Sequence, residues 1–175
     1  MARYCLLFIL SLMVAMGGHS LQAADPPNFS GTWTLDLNAP ESIPMSAMFE
    51  ALGVSWIKRK VVDTMVVTQV ITQTKNTLTI KADTPMGSRT LVLYLDGRKQ
   101  IQDTENSGEV ETRNYWDKDG TAIVTVSKHT TPDGQKAGWI SRRYLKDDGR
   151  TLIVDHVLTF DDGRKLTGNR VMRKQ

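Results

Sequence analysis

Five Asp-Gly pairs punctuate the chain from residue 96 onward: Asp96-Gly97, Asp119-Gly120, Asp133-Gly134, Asp148-Gly149 and Asp162-Gly163. The last four follow one another at intervals of 14, 15 and 14 residues. Asp-Gly tolerates the positive φ that tight hairpin turns require. Short loops of this kind force successive strands to lie antiparallel and side by side. The segments between them are strand-like: Val110–Trp116, Thr121–His129, Gly138–Leu145, Thr151–Phe160 and Lys165–Arg173. Earlier strands are predicted over Gly31–Leu37, Thr64–Gln73, Thr77–Lys81 and Ser88–Leu95, with Lys75-Asn76 as the turn between the second and third of these. With one of the longer stretches split, the count reaches about ten strands.

Period-two alternation supports the reading. Leu78 and Ile80 alternate with threonine and lysine, and Leu152, Val154, His156, Leu158 and Phe160 fall on one face of a single strand. A meander of this many strands curls and closes, because closure removes exposed edges. The expected fold is all-β: an up-and-down antiparallel β-barrel. A two-sheet sandwich is the alternative, disfavoured by the absence of long crossover loops.

Composition sets outer bounds. The 175 residues are 40% apolar and 23% charged, which excludes collagen-like, coiled-coil and mostly disordered chains. The 22 lysines and arginines are interspersed with 19 acids, for a net charge of +3 without like-charge blocks, so no nucleic-acid partner is expected. Residues 1–23 read as a secretory signal peptide: Arg3 starts it, Leu6 to Met16 is almost wholly apolar, and small residues end at Ala23. The apolar run is shorter than the ~20 residues that span a bilayer. Residues 24–175 then form one domain, secreted or periplasmic. Cys5, the single cysteine, lies within the signal, so no disulfide or thiolate metal site is expected.

One segment departs from strand patterning. Pro44 to Gly53 opens on proline and closes on glycine, with Ser42 as a candidate cap. Met45, Met48, Phe49 and Leu52 fall at i, i+3, i+4 and i+7, one face of a helix. A second short helix is expected from Ser55 to Asp63, and the pair would cover one barrel end. Trp56 and Ile57 extend the apolar face of this lid. Lys58, Arg59 and Lys60 form a small basic cluster beside it, suited to transient contact with an anionic membrane.

Phe29-Ser30-Gly31-Thr32-Trp33, the Ala51-Leu52-Gly53-Val54 turn between two helices, and Asn169-Arg170-Val171-Met172 near the end occur in this order around the Asp-Gly meander. The ordered set resembles the intracellular fatty-acid-binding protein family, within the calycin group that also holds the lipocalins, over nearly all of residues 28–175. The resemblance implies a monomeric carrier with a small hydrophobic ligand, such as a fatty acid, inside the barrel. It implies that Arg170 contacts the head group, with Met172 standing where the family has a tyrosine. It also implies an inward arginine on the strand carrying Arg142 and Arg143. Adjacent residues point to opposite faces, so only one of that pair turns inward.

The residues leave other readings open. Arg170 has an alternative partner in Trp33, through a cation–π contact, and an alternative neutraliser in Asp155. An enzyme is not expected: Gly-x-Ser-x-Gly, phosphate-loop and His-rich metal spacings are absent from the sequence, and Asp155-His156 are adjacent in one strand and point apart. A haem barrel would use His156 as axial ligand, without a supporting haem motif. The last alternative is an exported module that binds a protein through its loops. No cofactor is expected.

Overall fold

All five Asp-Gly glycines take left-handed φ, between 66 and 87°. The computed structural model that shows this describes residues 25–84, 87–104 and 108–175. The expected signal peptide lies outside them. In chain order the elements are β1 (Gly31–Leu35), α1 (Ser46–Ala51), α2 (Trp56–Thr64), β2 (Thr68–Gln73), β3 (Thr77–Thr84), β4 (Gly87–Tyr94), β5 (Gln100–Thr104), β6 (Gly108–Trp116), β7 (Ala122–Thr130), β8 (Lys136–Lys146), β9 (Thr151–Phe160) and β10 (Lys165–Lys174). Consecutive strands pair antiparallel, and β10 returns to pair with β1. Only β4 and β5 do not pair, so the barrel is nearly closed, with one gap.

The tenth strand does not arise by splitting a longer one. It is β5, a segment in which no strand was expected, because Ile101 is its single large apolar residue and stands 53% exposed. The gap beside it is bridged by a side chain. The Gln100 amide accepts from the Tyr94 N–H (3.0 Å) and from Asn114 Nδ2 (2.6 Å), and donates to the Val92 carbonyl (2.9 Å). Edge groups that would otherwise be open are partly met this way.

The interior is layered. One apolar cluster holds Phe29, Trp33, Ile71, Leu78, Leu152 and Met172. The other, under the lid, holds Met45, Met48, Leu52, Ala137, Leu158 and Phe160. Along β9 the inward series runs Leu152, Val154, His156, Leu158 and Phe160, from the first cluster to the second. His156 therefore sits in a polar band between two apolar ones. The outward face of β10 is covered as well, which explains apolar residues on both faces. A strap over residues 36–43 holds Asn169 through Ile43 N–H (2.7 Å) and the Glu41 carbonyl (2.9 Å), and Val171 is buried.

The lid is anchored rather than capped. Neither helix has a side-chain cap; Met45, not Ser42, occupies the cap position of α1. Gly53 ends α1 at φ 78°, where a Cβ would stand 2.3 Å from Pro132 Cγ. Met45 and Met48 lie over Gly168 on β10, with Met45 Sδ 2.7 Å from where a Cβ would be. Arg59 ties α2 to α1 by donating to the Val54 carbonyl (2.7 Å) and pairing with Glu50 (3.3 Å). No residue of α2 is buried, and Trp56 and Ile57 stand 62% and 59% exposed. The expectation that they complete the inward lid face is corrected: α2 turns Trp56, Ile57 and Val61 to solvent.

Candidate functional site

Strand pairing places the polar band in two rows. Arg143, Val154 and Arg170 are register partners across β8, β9 and β10, so the two arginines flank Val154 two strand spacings apart, about 10 Å. The next row toward the lid is Ser141, His156 and Gly168. The first row and His156 of the second face a cavity of about 170 Å³. Its apolar wall is Leu35, Val67, Val154 and Met172, and its polar groups are Gln69, Arg143, His156 and Arg170.

The parity of β8 is thereby settled. Arg143 turns inward and Arg142 outward. Arg142 is exposed, pairs with Asp117 at 2.8 Å and lies over the Tyr144 ring at 5.0 Å, so it leaves the candidate site. Asp155 is its register partner on that outer face and does not neutralise Arg170. The cation over Trp33 is Lys174, with Nζ 5.5 Å from the ring, and not Arg170.

Arg143 and Arg170 have no acid at ion-pair distance among the described residues. Burial alone pushes the Arg143 guanidinium down to about 10, so it stays charged at neutral pH. Its Nε is buried with no protein partner. Burial also lowers Arg170, and Asp63 of α2 offsets part of this electrostatically without forming an ion pair. Unpaired buried charge is costly, so two such groups in one cavity call for an anion.

His156 is held neutral. Burial first, then the charges of Arg143 and Arg170, push its pKa down to about 3. The Trp139 indole N–H donates to Ser141 Oγ (2.9 Å) and toward His156 Nδ1 (3.2 Å), and Ser141 Oγ lies 2.8 Å from Nδ1. An indole N–H can only donate, so Nδ1 is the acceptor and the proton resides on Nε2. His156 is thus a neutral side chain with a proton to donate from Nε2.

A second cavity of about 270 Å³ lies toward the lid; Ser141 and Trp139 line it, and their hydrogen bonds to His156 join its wall to that of the first. Phe49 and Leu52 line it, and Phe49 stacks on Trp139 at 6.2 Å. Of the expected lid residues these two reach a cavity, whereas Met45 and Met48 serve packing against Gly168. Sequence reasoning missed Gln69, Ser141 and Trp139 as site residues. For Ser141 and Trp139 a signal existed: they share the parity of Arg143 on β8. Gln69 offered none. Among the described residues no group of three or more His, Cys, Asp or Glu side chains converges to hold a metal, and no helix is long and apolar enough to cross a membrane.

Comparison with known structures fixes the class of fold first: the chain has the calycin barrel fold. Within that class it has the fold of the fatty-acid-binding proteins. It is similar to the REP1-NXSQ fatty acid transporter, at 20% identity and TM-score 0.64, covering 83% of this chain and 95% of that one. It is similar to human cRBP IV, at 18% identity and TM-score 0.65, covering 86% and 100%. It is also similar to apo Caenorhabditis elegans lipid binding protein 8, at 13% identity and TM-score 0.63, covering 84% and 95%. No protein-family model and no curated protein matches the sequence.

Proposed function

We propose that this chain is an exported carrier that holds the carboxylate of a long-chain fatty acid between Arg143 and Arg170, with its acyl tail in the barrel. One observation carries the reading: two charged guanidiniums without acid partners face one largely apolar cavity. A guanidinium fork matches a carboxylate bidentately. Met172 offers no hydrogen bond, and the His156 Nε2–H supplies one instead. Two proteins of the same fold, a fatty acid transporter and a lipid binding protein, support the same class of cargo.

Magnitudes divide the labour. A charge-assisted hydrogen bond contributes about 1.5–3 kcal/mol. Each buried methylene contributes about 0.8 kcal/mol, so a long tail outweighs the head group in affinity while the head group sets orientation. Two small cavities, with Ser141 and Trp139 on one bonded to His156 on the other, suit a thin flexible chain better than a flat macrocycle such as haem. Titration of the delipidated protein with long-chain fatty acids and the matching alcohols tests this. Binding of both, with the acid tighter by about tenfold or more, is expected. Binding of neither, or a Soret shift on haem addition, overturns the reading.

The exposed Trp56 and Ile57, beside Lys58 and Lys60, fit a contact through which the lid exchanges cargo with an anionic membrane. Trp56→Ala is expected to slow fatty-acid transfer to anionic vesicles several-fold. Its Tm should move little, since surface substitutions usually change stability by about 0.5 kcal/mol or less. A lower Tm with an unchanged transfer rate would assign Trp56 to structure.

A further inference from the structure

Five side-chain atoms among the described residues are buried without a hydrogen-bond partner in the protein, and all five belong to residues lining the two interior cavities. Gln69 Oε1 and Arg143 Nε belong to the carboxylate cavity. Gln102 Nε2, Thr112 Oγ1 and His129 Nδ1 belong to the second. An orphaned buried polar atom costs about 1–3 kcal/mol. Three of them around one cavity are poor design for a slot that takes only methylenes.

The chemistry of the three is specific. Thr112 is only 3% exposed, and its hydroxyl both donates and accepts. Gln102 Nε2 donates. His129 Nε2 lies 2.8 Å from Ser127 Oγ, and Trp139 tilts against the ring at 6.0 Å. When Ser127 donates to Nε2, Nδ1 carries the proton and is a further donor. Burial lowers the His129 pKa, which keeps the ring neutral. Other polar groups here are spent: Thr125 donates to Asn114 at 2.7 Å, and Ser141 serves His156. Among the described residues the cavity wall includes no Lys, Arg, Asp or Glu side chain. A second carboxylate would therefore go unpaired there, whereas one uncharged oxygen could meet two or three partners.

Register gives the spacing. Thr112 pairs with Ser127, Ser127 with Trp139, and Trp139 stands four residues before Arg143 on β8. Four strand residues span about 13 Å along β8, and two strand spacings add about 10 Å across to Thr112, so the separation is roughly 16 Å, the reach of about twelve carbons of an extended chain. We infer that the cargo is an aliphatic acid bearing a hydroxyl or oxo oxygen near mid-chain, received by Gln102, Thr112 and His129. The inference rests on the carboxylate assignment above and deepens it.

The test uses the delipidated full chain with octadecanoic acid, its mid-chain hydroxy and oxo derivatives, and a series with the hydroxyl moved along the chain. The mid-chain oxygenated acids should bind about tenfold tighter than the plain acid. The double variant Thr112→Val, Gln102→Leu should bind the plain acid as before and lose most of that preference. Equal binding of plain and oxygenated acids by the unaltered protein overturns the inference and leaves the carboxylate reading standing. Survival of the preference in the double variant, or a preference indifferent to hydroxyl position, also overturns it. The position series needs no variant, so a misfolded mutant does not protect the idea. Failure of every acid to bind removes the carboxylate reading itself.

Discussion

Replacing Arg143 and Arg170 together by methionine is expected to weaken fatty-acid binding by at least about a hundredfold while making the protein more stable. The two effects share a cause. Both guanidiniums are largely withdrawn from water without an acid at ion-pair distance, so each carries a desolvation cost in the empty barrel. Methionine fills similar volume with no charge to desolvate. A gain of about 2 kcal/mol would raise Tm by roughly 4–8 °C for a chain of this size. Binding moves the other way, because two charge-assisted contacts are lost. The matching alcohol discriminates: its affinity should stay within about threefold, since methylene burial is untouched. Calorimetric titration with both ligands, alongside thermal unfolding, checks all three quantities. A destabilised double variant, or equal loss of acid and alcohol, would mean that the arginines build the barrel instead of serving its cargo.

Acid should unfold the empty protein through His156. Its native pKa, pushed down to about 3, lies well below the ordinary value of 6.5. Protons therefore bind the unfolded chain first as pH falls below 6.5. The stability tied to neutral His156 is intact above that point and is lost progressively toward pH 3. The slope for one such group is about 1.4 kcal/mol per pH unit, so roughly 2 kcal/mol disappears between pH 6.5 and 5. His129, lowered by burial, adds to this in the same direction. His156→Gln keeps a neutral polar group and should flatten the dependence; denaturant unfolding at pH 7, 6 and 5 reads it. A carboxylate bound beside Arg143 and Arg170 opposes the charges that depress His156. Stabilisation by fatty acid should accordingly grow as pH falls from 7 toward 5. An unchanged acid slope in His156→Gln would place the proton uptake elsewhere.

Much of this was legible before folding was considered. The parity of Thr151–Phe160 placed His156 with Val154 and Leu158, and that is the face it takes. The Arg170 and Met172 positions were readable for a related reason: they alternate on a strand ending in a recognisable motif. Reading failed where the signal was compositional. Gln100–Thr104 carries too little apolar character to announce a strand and is held by pairing with β6 and by the Gln100 side chain. Trp56 and Ile57 look like a lid face in sequence, because hydrophobicity reports what a residue prefers and not whether a neighbour covers it.

The spacing of Asp-Gly turns, the alternation between them and the Pro44-to-Gly53 helix were set by local backbone chemistry, which acts over a few residues and needs no partner. The choice between Arg142 and Arg143 was not local. Alternation says that one of two neighbours turns inward, but a whole strand can slip by one residue and satisfy the same rule. Only pairing of β8 with β7 and β9, which sets Arg143 beside Val154 and Val154 beside Arg170, fixes that parity. The convergence of Gln102, Thr112 and His129 on one cavity likewise depends on β5, β6 and β7 pairing side by side, a relation that no single stretch of chain contains.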